Sequence, residues 1–195
     1  MSGSARLGPG EGAGAGPEQV LINGQPDVLE VSALDRGLHF GDGLFETIAC
    51  RNGRAGFLSL HLDRLTTSCA RLRITLPDIE IIRREIEQTA SGAAHSLIKL
   101  IVTRGVALAR GYGWSGQESA TRVLLRHEWP QEDTSARSAG VQVGIARMAL
   151  GENAALAGMK HLNRLEQVLA RAEVPGTEAA ELLLFSSSGR LVSAP

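Results

Sequence analysis

Two Asn-Gly pairs, Asn23-Gly24 and Asn52-Gly53, each close a short apolar run, and this punctuation constrains the fold more than any other feature of the chain. Asn-Gly best tolerates the two consecutive left-handed residues of a tight hairpin. Both sites therefore predict antiparallel strands. Val20 to Asn23 reads as one strand, with a return over Val28 to Val31. Leu44 to Cys50 reads as another, turning into Gly56 to Leu58. From Ser59, the residues Leu62, Leu65, Cys69 and Leu72 recur at helical spacing and stop before Pro77. Asp78 then caps a second helix that runs to about Ala90.

Leu97 to Arg104 and Thr121 to His127 follow as two more strands around a glycine-rich loop, Gly105 to Gly116. Val141 to Ala146 is a further strand, and Glu181 to Phe185 pairs with Arg190 to Ser193 across Ser187-Ser188-Gly189. The pattern predicts an α+β protein. Residues 1–18, rich in glycine, alanine and proline, read as a disordered tail. Residues 19–130 form an N-terminal α+β domain, 131–140 a polar linker, and 141–195 a second, β-rich part.

Charge and cysteine usage narrow the function classes. A formal net charge of -1 argues against a nucleic-acid surface or a polybasic membrane patch. No apolar run reaches bilayer-spanning length. Cys50 and Cys69 are too few and too separated to form a motif, and two cysteines without a secretion signal suit a reducing cytoplasm. No cluster of His, Cys and carboxylates supports a metal site. The run Gly41-Asp42-Gly43 allows tight turns near a ligand, but no strand leads from it into a helix, so it is not a dinucleotide fingerprint.

Several side chains carry possible chemistry. His61 and Arg64 lie three apart on one helix face, where Arg64 can clamp a phosphate or simply pair with a neighbour such as Asp63. Arg104 and Arg110 flank the glycine-rich loop beside Tyr112 and Trp114, a combination that suits a carboxylate and a ring as well as an ordinary loop.

Lys160 is one of two lysines against 18 arginines. A primary amine, unlike a guanidinium, can lose its proton and attack a carbonyl. Asn163 with Glu166 three residues on reads as a helix N-cap and its capping-box partner, and Leu165, Val168, Leu169 and Ala172 form one apolar face after it. That places Lys160 just before a helix N-terminus, where the dipole disfavours the ammonium form. Lys99, the other lysine, sits in an alternating strand and reads as an edge or snorkelling residue.

The run Lys160-His161-Leu162-Asn163-Arg164-Leu165-Glu166-Gln167 resembles the active-lysine segment of the aminodeoxychorismate lyases, within the fold-type IV, or class IV aminotransferase, family. Leu21-Ile22-Asn23-Gly24, Asp35-Arg36-Gly37, Phe40-Gly41-Asp42-Gly43, His61-Leu62-Asp63-Arg64-Leu65, Val102-Thr103-Arg104-Gly105 and Arg110-Gly111-Tyr112 resemble that family in the same order. The resemblance implies a pyridoxal 5'-phosphate enzyme and a homodimer. It implies that Lys160 holds the cofactor and moves protons, that Arg64 binds its phosphate, and that Asn163 orients groups beside it. Thr47 is implied as proton donor to departing pyruvate, and Arg110 with Tyr112 as holders of a substrate carboxylate. The implied reaction converts 4-amino-4-deoxychorismate to 4-aminobenzoate and pyruvate for folate synthesis. Branched-chain or D-amino-acid transamination is the alternative. The family's chains continue further, and its glutamate toward the pyridine nitrogen falls at Ala194. The resemblance thus also admits a C-terminally truncated relative with a weakened or inactive site.

Overall fold

The computed structural model describes residues 16–26, 28–107, 110–129, 138–173 and 179–194, and the chain divides into two compact units, Met1–Trp129 and Pro130–Pro195. Most of the predicted tail and linker lie outside the described residues.

The first unit is built on a six-stranded antiparallel sheet. Its strands are β1 (Gln19–Ile22), β2 (Gln25–Pro26), β3 (Gly43–Arg51), β4 (Arg54–Ala55), β5 (His95–Thr103) and β6 (Thr121–Glu128), in the order β2-β1-β6-β5-β3-β4. Both Asn-Gly turns form as expected: Asn23 and Gly24 have φ of 51° and 81°, and Asn52 and Gly53 have 49° and 70°. The first hairpin returns over Gln25–Pro26 and not over Val28 to Val31. Pro26 has no N–H to extend the ladder, and Leu29 beyond it is 77% exposed. The second hairpin also returns for only two residues, because a helix begins at Leu58 where the sequence suggested more strand.

Strands β3 and β5 pair over nine residues, from Gly43↔Thr103 to Arg51↔His95. Alternation puts Leu44, Glu46, Ile48 and Cys50 on one buried face together with Ser96, Ile98, Leu100 and Val102. Two helices, Leu58–Leu72 and Ile79–Ala90, cover that face with Leu62, Leu65, Cys69, Ile82, Ile86 and Ala90. A shorter helix, α1 (Arg36–Phe40), precedes them, so they are α2 and α3 in chain order. Asp78 caps α3 by accepting from Glu80 N at 3.0 Å, as the sequence predicts. β5 lies inside the sheet, so Lys99 is not an edge residue; its amine sits 5.5 Å from the centre of the Phe45 ring.

Helix α1 is too short to show a periodicity in the sequence, and it is capped at both ends. Asp35 accepts from Gly37 N at 2.7 Å, and Gly41 closes the helix in the left-handed region at φ 62°. Asp35 is fully buried and also accepts from the hydroxyls of Thr103 at 3.0 Å and Thr121 at 2.6 Å. Just beyond α1, Asp42 Oδ2 accepts from Arg36 Nε and Arg104 Nε, both at 2.8 Å, and Oδ1 accepts from Arg104 Nη2 at 3.0 Å. Arg104 reaches on to the carbonyls of Leu72 at 2.8 Å and Arg73 at 2.7 Å, filling acceptors at the end of α2.

The second unit holds a three-stranded sheet of β7 (Val143–Ile145), β8 (Glu181–Phe185) and β9 (Leu191–Ser193), in the order β7-β8-β9. β7 and β8 run parallel, and such a pair needs a long crossover. The segment with Lys160 and helix α4 (Leu165–Ala172) lies in that crossover. Ala146, Leu150, Ala170, Leu182 and Leu184 form the core of this unit. The apolar face expected on α4 is not buried: Leu165, Val168 and Leu169 are 77%, 60% and 59% exposed, and Ala170 is the residue that packs.

Burial alone would push the Asp42 carboxyl up, but hydrogen bonds and charge from Arg104 and Arg36 overcome this and hold it below its ordinary 3.8. Asp42→Asn is expected to cost about 3 kcal/mol, since it leaves two buried guanidinium groups uncompensated. That corresponds to a fall in melting temperature of roughly 10 °C. A carboxyl whose pKa is lowered on folding adds stability above its unfolded pKa and loses it as the pH falls through the folded one. In thermal melts, the advantage of the wild type over Asp42→Asn should be complete above about pH 4 and shrink on further acidification.

Candidate active site

A charged cluster of the first unit joins β3 to α2. Glu46 lies on the buried face of β3 with its side chain 2% exposed. Arg64 Nε donates to Glu46 Oε1 at 2.7 Å, and Arg64 Nη2 donates to Oε2 in a second, shorter bond. His61, one helical turn earlier on α2, places Nδ1 2.8 Å from the same Oε2. The carboxylate can only accept, so Nδ1 carries the proton. The Glu46 hydrogen bond raises the Arg64 pKa above its ordinary value and keeps the guanidinium charged. The Arg64 side chain remains 45% exposed, and Nη1 is not among the atoms that Glu46 engages. So Arg64 pairs with Glu46 across the fold, not with Asp63.

Thr47 follows Glu46 and faces the other side of the sheet, where it is exposed. It stands opposite Lys99 in the β3–β5 register, and Phe45 lies on the same face.

Arg110 and Tyr112 lie on the loop after β5 and are both exposed, Tyr112 at 82%. The loop is fastened from below. Arg36 Nη2 donates to the Tyr112 carbonyl at 2.8 Å, and Nη1 donates to those of Gly113 at 3.0 Å and Gly111 at 3.3 Å. The Phe40 and Tyr112 rings lie 5.3 Å apart, and Trp114 covers the Arg104 guanidinium at 4.3 Å. Arg110, His39, Phe40, Leu34 and Ala107 border a shallow depression of about 250 Å³. Arg104 thus holds Asp42 and is structural, whereas Arg110 stands outside that network.

Lys160 is half-buried in the second unit, beside buried Met159. The loop before it is folded on itself: Leu156 N and Ala157 N donate to Asn153 O at 3.0 Å, and Met159 N donates to Leu156 O at 3.2 Å. The N-cap of α4 is Arg164, not Asn163, and no side chain caps it. The capping box fails because Glu166 turns away to accept from Gly151 N at 2.9 Å. Arg164 Nε instead donates to the His161 carbonyl at 2.9 Å, closing the turn next to Lys160. Burial, and then the Arg164 charge, lower the His161 pKa and favour its neutral form. Among the described residues, His161 Nδ1 and Gln167 Oε1 are buried without a hydrogen-bond partner. Buried polar atoms left without a partner in the segment that carries Lys160 suit a polar small molecule better than an apolar one.

Sequence reasoning missed Glu46 and Arg36. The signal for Glu46 was present: a carboxylate inside the alternation Leu44, Glu46, Ile48, Cys50 needs a buried partner. Arg36 offered no such signal, since the carbonyls it meets are 75 to 77 residues away.

The model of the amino-transferase class IV family matches residues 43–195. An aminodeoxychorismate lyase of Vibrio harveyi is 32% identical over 171 residues, which is 88% of this chain and 62% of that one. The crystal structure of 4-amino-4-deoxychorismate lyase from Pseudomonas aeruginosa is similar at a TM-score of 0.83 and 42% identity, covering 90% of this chain and 64% of that one. A fold IV-transaminase from Curtobacterium pusillum shares the fold at a TM-score of 0.68 and 27% identity, over 86% of this chain and 59% of that one. The chain therefore spans less than two thirds of the length of these relatives.

Arg36→Lys keeps the charge beside Asp42 but cannot reach three carbonyls at once. Amide hydrogen exchange in residues 110–114 is expected to quicken about tenfold or more, in line with the loss of charged hydrogen bonds. Exchange in β5 should stay unchanged. Equal exchange at 110–114 in both proteins would show that the loop is held by other contacts.

Proposed function

Because the chain belongs to the amino-transferase class IV family, we propose that it carries a pyridoxal 5'-phosphate lyase site acting on 4-amino-4-deoxychorismate. The observation that carries this reading is the Lys160 segment, a half-buried amine in a run whose His161 Nδ1 and Gln167 Oε1 are buried without a hydrogen-bond partner. The 42% identity to the Pseudomonas aeruginosa lyase favours lyase over transaminase. The fit to the cofactor rests on two kinds of group that it needs. One is a primary amine for its aldehyde, and the other is a fixed, partly exposed cation for its phosphate. Within the second unit Lys160 would answer the first need, and within the first unit Arg64 would answer the second.

When bound, pyridoxal phosphate supplies an electron-withdrawing ring that stabilises negative charge on the substrate carbon next to nitrogen. The protein's part is position and proton transfer. Lys160 Nζ would hold the aldehyde carbon of the cofactor and would move protons. Neutral His161 beside it adds no positive charge to oppose a proton on that amine. Asn163 orients groups next to the ring. Arg64 would bind the phosphate. Thr47, exposed on its strand, gives its hydroxyl proton to the departing three-carbon fragment. Arg110 meets a substrate carboxylate, and Tyr112 lines the same loop with its backbone pinned by Arg36. The products are 4-aminobenzoate and pyruvate, which places the reaction in folate synthesis. The working assembly is a homodimer in the cytoplasm. Among the described residues, no helix is long and apolar enough to cross a membrane.

Two measurements test this. Incubation with pyridoxal phosphate, borohydride reduction and peptide mapping should place the adduct on Lys160, with Lys99 unlabelled. Wild-type chain given cofactor and 4-amino-4-deoxychorismate should release 4-aminobenzoate, and Lys160→Ala should release none above background. A label mainly on Lys99 would overturn the amine assignment. Amino-group transfer to a 2-oxo acid, without 4-aminobenzoate, would replace the lyase reading with the transaminase one.

A further inference from the structure

Glu46 is a costly residue to keep where it is. An ionised carboxylate with 2% of its side chain exposed must be paired and hydrogen-bonded to be tolerated. Its neighbours on the same face of β3 are Leu44, Ile48 and Cys50, and a leucine or valine in its place would meet the same helix without that cost. What the carboxylate does that an aliphatic residue cannot is grip Arg64 by two parallel bonds, to Nε and to Nη2. A guanidinium is planar, so two such bonds fix its orientation as well as its position. The edge carrying Nη1 is turned away from Glu46, and the side chain stays 45% exposed. His61 Nδ1 occupies the second acceptor site of Oε2 at 2.8 Å, which braces the carboxylate from the other side.

We propose that Glu46 is a positioning residue for phosphate recognition: from inside the sheet it holds the Arg64 guanidinium so that its outer edge faces a phosphomonoester. The inference rests on the reading of Arg64 as the phosphate-binding group. Without Glu46, a half-exposed arginine samples several rotamers and must be ordered anew for each binding event. With it, that ordering is complete before the ligand arrives. The same strand then serves two purposes in consecutive residues, since Glu46 sets the cation from the buried face while Thr47 stands on the open one.

The probes are pyridoxal 5'-phosphate and pyridoxal, which differ only in the phosphate. Affinity for each is read from the absorbance of the lysine adduct during titration. The wild-type chain should prefer the phosphorylated form. Glu46→Gln, which keeps the shape and removes the charge, should lose roughly tenfold in affinity for pyridoxal phosphate and almost nothing for pyridoxal. In the background of Arg64→Ala, the same Glu46→Gln change should have no further effect on phosphate preference. Glu46→Asp keeps a charge in the core but cannot span both nitrogens. It should show the same selective loss if Glu46→Gln does not fold. If Glu46 merely staples α2 to β3, the variants will lower the melting temperature while the ratio of the two affinities stays at the wild-type value, and the inference falls. An equal loss for both ligands, or tighter phosphate binding in Glu46→Gln, also overturns it. A wild-type chain with no preference for the phosphorylated form would instead overturn the role of Arg64 itself.

Discussion

The first unit is organised around one carboxylate held between two guanidinium groups. Asp42 takes Arg36 from the start of α1 and Arg104 from the end of β5. Each arginine then directs its remaining donors to backbone carbonyls that no strand or helix would otherwise satisfy. Arg104 closes the last turn of α2, and Arg36 fastens the loop that carries Arg110 and Tyr112. The segments around residues 36–42, 72–73 and 104–113 are thus tied together through one carboxylate and its two arginines. Such a junction contributes little net stability compared with an apolar replacement, because desolvating three charged groups costs several kcal/mol each. Its value is geometric, since the bonds are directional and few alternative arrangements satisfy them all.

Asp35 complements this from the other side of α1. Its carboxylate caps the helix and binds the hydroxyls of Thr103 and Thr121, the facing ends of β5 and β6. A Cβ at Gly37 would come within 2.3 Å of Thr103 Cγ2, so the segment Asp35-Arg36-Gly37 needs a side chain at two positions and none at the third. A helix of only five residues cannot stabilise itself. It persists because both caps, a buried aspartate and a buried arginine fix it in place.

Local signals account for what the sequence revealed. The strands β3 and β5 announce themselves by alternation, α2 by its spacing of leucines, α3 by Asp78, and both hairpins by Asn-Gly. The failures occur where a tertiary partner overrides a local preference. The return over Val28 to Val31 is absent because β1 already pairs with β2 and with β6, so neither edge is open. The capping box on α4 is absent because Gly151 captures Glu166. The apolar stripe on α4 identified a helix correctly but not its buried side, since Ala170 and not Leu165 or Leu169 meets the small core of the second unit. Lys160 stood out as a rare amine in an arginine-rich chain and through the run Lys160 to Gln167 that resembles the family's active-lysine segment. That His161 Nδ1 and Gln167 Oε1 in the same segment are buried without a partner could only come from the fold.

The register of β3 ties structure to chemistry. Pairing with β5 is continuous over nine residues, and side chains in such a ladder alternate strictly between faces. A slip by one residue would turn Glu46 to the open face and drive Thr47 under α2. Arg64 and His61 would then lose their shared acceptor, and a small hydroxyl would replace it in a space shaped for a carboxylate. The opposite face would gain a charge where Phe45, Lys99 and Thr47 now lie together. Burial of Leu44, Ile48 and Cys50 opposes the slip on hydrophobic grounds, and the Glu46–Arg64 pair opposes it on electrostatic ones. The interactions that hold α2 on the sheet therefore also determine which residues of β3 face outward and remain available to a ligand.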